Sequence, residues 1–270
     1  MTSMSESPQP SKPETVAIVA HGRVDVGEAV DRVCRVAEQA GVRVVDEPTG
    51  ADITVAVGGD GTILRTLASL LGTSAPVIGV NFGRVGFLAS IEPDGLERDL
   101  ARVFAGDYRV LELPTLEVKL DGERHVAIND VVATSATLGR MVELAWSVGG
   151  EDLGVVPCDG MICSTPAGST AYNLSNGGPV LVRGLEAMAV TFIAPHSLHA
   201  RPLVVPRGAE VSVRNATPDV DAAVLVDGHE SGDLAPERTL SIRLGEQRSL
   251  LATLPETTFF GRYREIFTSG

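Results

Sequence analysis

The sequence predicts an α/β N-terminal domain of Rossmann-like type followed by an all-β C-terminal domain of β-sandwich type. Three observations carry this. Over roughly the first 110 residues, short β-branched runs alternate with segments of helical period, the pattern of an α/β layer structure. After Pro114 the helical periods give way to strand-like runs separated by turn residues, which fits a sandwich or an irregular barrel. A chain of 270 residues is also long for one core and comfortable for two.

Taken in order, residues 1–14 are rich in Ser, Pro and Glu and lack an apolar core, so they read as a disordered tail and not as a signal peptide. The α/β domain is expected over 15–113. Thr15–Ala20 is its first strand. Val26, Val30, Val33 and Ala37 recur at helical spacing, and Val42–Val45, Ile53–Val57 and Pro76–Val80 are further strands. Ile63–Leu71 reads as a helix with Gly72 just past its end, and Leu96–Phe104 as an amphipathic helix.

The all-β domain is expected over 114–256. Leu116–Leu120 and His125–Ile128 flank Asp121-Gly122 as a hairpin, and Met141–Val148 leads into a second at Gly149-Gly150. Ala187–Ala194, Glu210–Val213, Ala222–Val226, Thr239–Leu244 and Ser249–Leu254 are strand-like. Residues 257–270 gather Phe259, Phe260, Tyr263 and Phe267, so this last segment is expected to dock back on the first domain.

Composition narrows the function. A hydrophobic content of 44% fits a globular chain. No apolar run approaches the ~18–20 residues that span a membrane, so the cytoplasm is the expected location. A net charge of −13 argues against a nucleic-acid partner. Lys12 and Lys119 are the only lysines, so a phosphate ligand would rest on backbone amides, arginines and a metal ion. Cys34, Cys158 and Cys163 form no C-x-x-C pair and read as apolar fillers. The histidines are scattered and show no H-E-x-x-H spacing.

Two segments carry chemistry. Gly58-Gly59-Asp60-Gly61-Thr62 follows a buried strand and opens a helix. Glycine there lets the backbone approach a ligand and turns N–H groups towards phosphate oxygens. A lone Asp among such amides repels phosphate, so Asp60 makes sense as a base or as holder of a metal that travels with the phosphates. The plainer reading is a Gly-rich turn with Asp capping the helix. The segment has neither the Walker order nor G-x-G-x-x-G.

The second segment, Asp159–Tyr172, is too hydroxyl-rich for a core strand, although Met161–Ser164 reads as a buried strand and Pro166–Gly168 as a turn. Ser169, Thr170, Tyr172, Asn173 and Ser175 offer donors and a ring suited to a sugar, an amide or a phosphate. Alternatively this is a polar loop in which Ser169 or Thr170 caps a helix. No G-x-S-x-G surrounds Ser169. Asn129-Asp130, ending a strand after Ile128, reads by itself as a turn.

Together these segments resemble the NAD kinases, whose signature runs GGDG, Asn-Glu, then D-G…T-P-x-G-S-T-A-Y. Gly83–Leu88, Gly177-Gly178-Pro179, Pro195–Leu203 and Asp227-Gly228-His229 also look like that family. The resemblance implies phosphoryl transfer from ATP, or from polyphosphate, to the 2′-hydroxyl of the adenosine ribose of NAD. It implies Asp60 as the base, and Gly59, Gly61 and Thr62 with Mg²⁺ on the donor phosphates, Arg65 within reach. Mg²⁺ would be held mainly by those phosphates, or by Asp60. Asn129 and Asp130 would take ribose hydroxyls, Asp159 the nicotinamide end, and Thr170, Ala171, Tyr172, Asn173, Leu174 and Ser175 the adenosine half. Phe87, Arg140, Ala167 and His229 match ligand-contacting positions. It also implies a homodimer or homotetramer.

This chain departs from the family in having Asp130 for Glu and Ala167 where Thr is common. A lipid kinase sharing GGDG, or a non-catalytic NAD(H) sensor, are the alternatives. The first fits poorly with the net charge of −13, and the second has no need of Asp60.

Overall fold

The computed structural model describes residues 11–21, 26–82, 86–197 and 199–268. It divides into two units, Met1–Glu112 with Ser249–Gly270, and Leu113–Arg248. The elements are β1 (Thr15–Ala20), α1 (Gly27–Ala40), β2 (Arg43–Val45), β3 (Ile53–Gly58), α2 (Asp60–Ser69), β4 (Val77–Asn81) and α3 (Leu96–Phe104). Then come β5 (Arg109–Leu120), β6 (Glu123–Ala127), β7 (Asp130–Ser135), β8 (Val142–Val148), β9 (Glu151–Cys158), β10 (Gly160–Ser164) and α4 (Tyr172–Ser175). The last are β11 (Ala187–Ile193), β12 (Leu203–Pro206), β13 (Val211–Asn215), β14 (Ala222–Val226), β15 (His229–Leu234), β16 (Thr239–Thr253) and α5 (Phe259–Thr268).

In the first unit, β2, β1, β3 and β4 form a parallel sheet, extended by the end of β16, where Leu251 and Ala252 pair with Val77 and Ile78. The run Ile53–Gly58 is buried throughout, as a strand covered on both faces must be. Val55, Val57, Ile78 and Val80 share one core with Val33 and Ala37 of α1 and Leu100 and Val103 of α3. Successive side chains of a strand point to opposite faces, so Gly79 addresses the other side. There an added Cβ would overlap Ile63 of α2. Helices therefore cover both faces of the sheet.

The second unit is a sandwich of antiparallel sheets. One holds β13, β8 and β9 beside β16, with β5 paired to β16 and β6. The other runs β12-β11-β10-β7-β14-β15. Leu116, Leu144 and Trp146 of the first meet Met161, Val190, Phe192 and Val224 of the second in one core. Trp146 and Phe192 pack edge to face at 5.4 Å. Cys158 and Cys163 are buried in it as apolar filler, and burial pushes both thiols up to about 12.

The structure corrects several expectations. The expected strands Thr239–Leu244 and Ser249–Leu254 are one strand, Thr239–Thr253, and the second unit ends within it, at Arg248. Gly245–Arg248 looks like a turn in sequence, but Thr115 donates to the Gln247 carbonyl and Arg207 to that of Gly245, and the backbone stays extended. The buried stripe of α1 is Ala29, Val33, Val36 and Ala37, with Val26 outside the helix.

The tail expected over 1–14 is tied down over its described part. Lys12 donates to the Ala40 carbonyl, and the Glu14 amide to Asp52. The hairpin expected at Gly149-Gly150 is present, with β9 as its second arm, whereas strands β7, β12 and β15 escape the sequence, β15 because HESGDL carries almost no apolar residues.

Phe104 is the largest fully buried side chain in the core of the first unit. Phe104→Ala should lower stability by ~3–5 kcal/mol in urea unfolding followed by circular dichroism. A loss below ~1 kcal/mol would contradict this packing.

Candidate functional site

Each unit builds a polar cluster of its own. In the first, β3 ends at Gly58 and α2 starts at Asp60, with Gly59 as N-cap. Gly58 has φ +157°, and an added Cβ would stand 2.7 Å from the His21 carbonyl oxygen. At Gly59 and Gly61 the same Cβ meets nothing within 4 Å among the described residues, so these two glycines leave open space at the head of the helix. Thr62 donates its amide to the Gly59 carbonyl (2.9 Å) and its hydroxyl to that of His21 (2.8 Å). The amide expected to meet a phosphate is thus already spent. Arg65 is exposed on α2.

Asp60 does not cap the helix. Its carboxylate accepts the amides of Phe87 (2.8 Å) and Leu88 (3.2 Å). Gly86 passes so close that any Cβ there would overlap that carboxylate. The Phe87 ring meets Phe259 and Phe267 of α5, so Phe87 is occupied at both its amide and its ring. The stretch Gly83–Leu88 lies outside the described residues at 83–85.

The second unit gathers Asn129-Asp130, Thr165–Gly168 and Asp227–His229. Asn129 stands between β6 and β7, and Asp130 begins a strand where a strand end is expected. The Asp227 carboxylate accepts the amides of Ile128 (2.8 Å), Asn129 (2.7 Å) and Asp130 (3.1 Å). Thr165 donates its hydroxyl to the Ile128 carbonyl (2.6 Å) and its amide to that of Asn129 (2.9 Å). Gly168 lies so close that a side chain there would strike the Asn129 carbonyl. Asn129 Oδ1 is buried without a hydrogen-bond partner. His229 Nδ1 lies 3.1 Å from the Asp227 carbonyl.

Burial, and then the charge of Asp227, push the Asp130 carboxyl up to about 7. Burial also raises Asp227, against the pull of its three amides.

The hydroxyl-rich segment divides. Ser164, Thr165 and Ser169 are fully buried, so hydroxyls do belong to this core strand and turn. Ser169 Oγ accepts the Leu181 amide and donates to the Pro166 carbonyl. Asn173 donates to the Ser169 and Pro179 carbonyls and accepts from Thr191, which leaves its side chain no N–H donor for a ligand. Ala167 is buried and accepts the Thr170 hydroxyl at its carbonyl.

Ala171 and Leu174 are partly exposed, and Ser175 and Asp159 are exposed. Tyr172 is 46% exposed. Arg140 pairs with Asp219 at 3.0 Å. Sequence reasoning undervalued Asp227 and Gly86. The Asp-Gly pair of a hairpin turn was the signal for the first, and the glycine of an otherwise bulky loop for the second.

Among the described residues no group of three or more His, Cys, Asp or Glu could hold a metal. No helix among them is long and apolar enough to cross a membrane.

Residues 37–108 match the ATP-NAD kinase N-terminal domain, and residues 128–254 the ATP-NAD kinase C-terminal domain. Similar chains include an NAD kinase of Heliobacterium modesticaldum, 37% identical over 92% of this chain and 89% of that one. Another, from Methanopyrus kandleri, is 32% identical over 95% and 98%. Among solved structures, an Archaeoglobus fulgidus NAD kinase in complex with ATP aligns with TM-score 0.78 and 26% identity over 94% of this chain and 97% of that one. Yeast NADH kinase complexed with NADH aligns with TM-score 0.82 over 98% and 93%, at 22% identity, a likeness of fold.

An acid whose folded pKa is raised binds extra protons in the folded state, so its stabilising effect is fullest at low pH and is lost as pH rises towards about 7. Asp130→Asn removes that loss. Its stability relative to wild type should therefore be higher at pH 8 than at pH 5 in urea unfolding. An equal difference at both pH values would mean that Asp130 titrates as an ordinary carboxylate.

Proposed function

This chain belongs to the NAD kinase family, and on that premise we propose that it transfers the γ-phosphoryl group of ATP, or a phosphoryl group of polyphosphate, to the 2′-hydroxyl of the adenosine ribose of NAD. The observation that carries the reading is the Asp60 carboxylate, fixed by two amides at the head of α2 beside the open space at Gly59 and Gly61.

Asp60 accepts the hydroxyl proton as the ribose oxygen bonds to the phosphorus and the bond to the leaving phosphate breaks. The amides of Gly59 and Gly61, at the positive end of α2, take donor oxygens, and Arg65 adds charge from the same helix. In the second unit, the orphaned Asn129 Oδ1 and the Asp130 carboxyl accept ribose hydroxyls. Asp159 lies by the cationic nicotinamide, and His229 adds a polar contact near the ribose pair.

Thr170, Ala171, Tyr172, Leu174 and Ser175 pack around the adenosine half, while Asn173 and Ala167 shape that segment from inside. Arg140 adds a cation on the dinucleotide side, with its Nη2 held by Asp219. A Mg²⁺ ion carried in by the phosphates would be held mainly by them, with the Asp60 carboxylate as the protein oxygen donor this reading offers. When bound, that ion supplies charge neutralisation on the transferring phosphoryl group. The same reading includes a homodimer or homotetramer in the cytoplasm.

NADP formation from NAD and ATP tests the whole reading. Asp60→Asn should lower kcat by roughly 10²–10⁴-fold with NAD affinity kept. A variant retaining more than half the turnover would sink the base. Partial rescue by added Mg²⁺ would assign Asp60 to the metal instead.

The second unit is tested by Tyr172→Ala, which should weaken NAD and AMP binding by about 1–3 kcal/mol. Asp159→Asn should narrow any preference for NAD⁺ over NADH without loss of AMP binding. If Tyr172→Ala changes only thermal stability, that segment is structural.

A further inference from the structure

Asp60 is held by the amides of Phe87 and Leu88, and the next residue, Ala89, is held in turn. Its carbonyl accepts Arg262 Nη2 of α5 at 2.8 Å. The same Nη2 reaches Glu92 Oε1 at 3.1 Å, while Nη1 reaches Glu265 Oε2 at 2.9 Å. The other oxygen of Glu92 accepts Asn81 Nδ2 (3.1 Å) at the end of β4. The Phe87 ring lies 6.0 Å from Phe259 and 5.9 Å from Phe267, centroid to centroid.

Arg262 is the one buried residue of a helix whose Phe260 is 68% exposed. Apolar side chains alone would pack α5 at less desolvation cost than a guanidinium does. What the planar fork adds is direction, because it fixes one carbonyl and two carboxylates at set angles.

We propose that Arg262 is a positioning residue for Asp60, acting through the segment Phe87–Ala89, with the aromatic face of α5 as the second hold on that segment. This rests on the reading of Asp60 as the base. If Arg262 only stabilised the fold, its loss would not separate kcat from KM.

The test measures kcat, KM for NAD and ATP, and hydrogen exchange at the Phe87 and Leu88 amides. Arg262→Ala should lower kcat by about 10- to 100-fold with both KM values unchanged, and both amides should exchange faster. Arg262→Lys should recover part of kcat, since an ammonium still donates to the Ala89 carbonyl but does not span all three partners.

Unchanged kcat, a rise in KM with kcat intact, or unchanged exchange would each overturn the proposal. Should Arg262→Ala fail to fold, Phe267→Ala carries the test, because that ring is 41% exposed and its loss is tolerable. Slower turnover with faster exchange supports the proposal, and unchanged turnover overturns it. If Asp60→Asn keeps its turnover, the base assignment falls on its own, and exchange in Arg262→Ala still reports whether α5 holds the segment.

Discussion

Asp227 closes its carboxylate over three consecutive amides, and the polar cluster of the second unit hangs from that grip. The backbone of residues 128–130 is then fully accounted for. All three N–H groups go to Asp227. The Ile128 and Asn129 carbonyls go to Thr165, and the Asp130 carbonyl accepts the Asp227 amide. A buried backbone leaves few of its polar groups unpaired, and here none is. What remains unsatisfied is a side-chain atom, Asn129 Oδ1. The main chain here is committed to internal hydrogen bonds, while the side-chain oxygen of Asn129 is not.

The grip is not there for stability alone. Hydrogen bonds to a charged group are each worth ~1.5–3 kcal/mol, yet burial still raises the Asp227 carboxyl. Desolvation therefore outweighs the three amides, and a second carboxyl, Asp130, sits close enough to feel that charge. Asp227 reaches its place through a turn, with φ of 49° at Asp227 and 78° at Gly228. Asp visits the left-handed region more readily than most side chains, here with its carboxylate bonded to amides far along the chain, and Gly has no Cβ to strain. The dipeptide that makes the hairpin is also the one that delivers the carboxylate.

Much of this was legible in the sequence. Ile53–Gly58 announces a buried strand by composition, and α3 announces itself by period. The hairpin at Asp121-Gly122 follows from turn chemistry, with φ of 51° and 89° there. What stayed hidden depends on partners far along the chain. The strand β16 runs through Gly245–Arg248 because Thr115 and Arg207 hold its carbonyls. Asn173 looks like a ligand donor until its three internal partners are seen. Arg262 looks like an ordinary surface cation until Ala89 and Glu92 are placed beside it. A residue type states what a group can bond; only the fold states which bonds are already taken.

That distinction bears on the lone Asp at the head of α2. The positive end of α2 favours any anion, the Asp60 carboxylate and a phosphate alike, and two such anions repel. Here the Asp60 oxygens are drawn onto the amides of Phe87 and Leu88, so part of the charge is taken up by donors from outside the helix. The arrangement requires the backbone at Gly86 to press against the carboxylate, where a Cβ would overlap it. On the function proposed above, Gly59 and Gly61 would keep their share of the helix field for the donor phosphates, while the Asp60 carboxylate is oriented by two fixed amides. The orientation of that carboxylate begins at Gly86, a residue with no functional group at all.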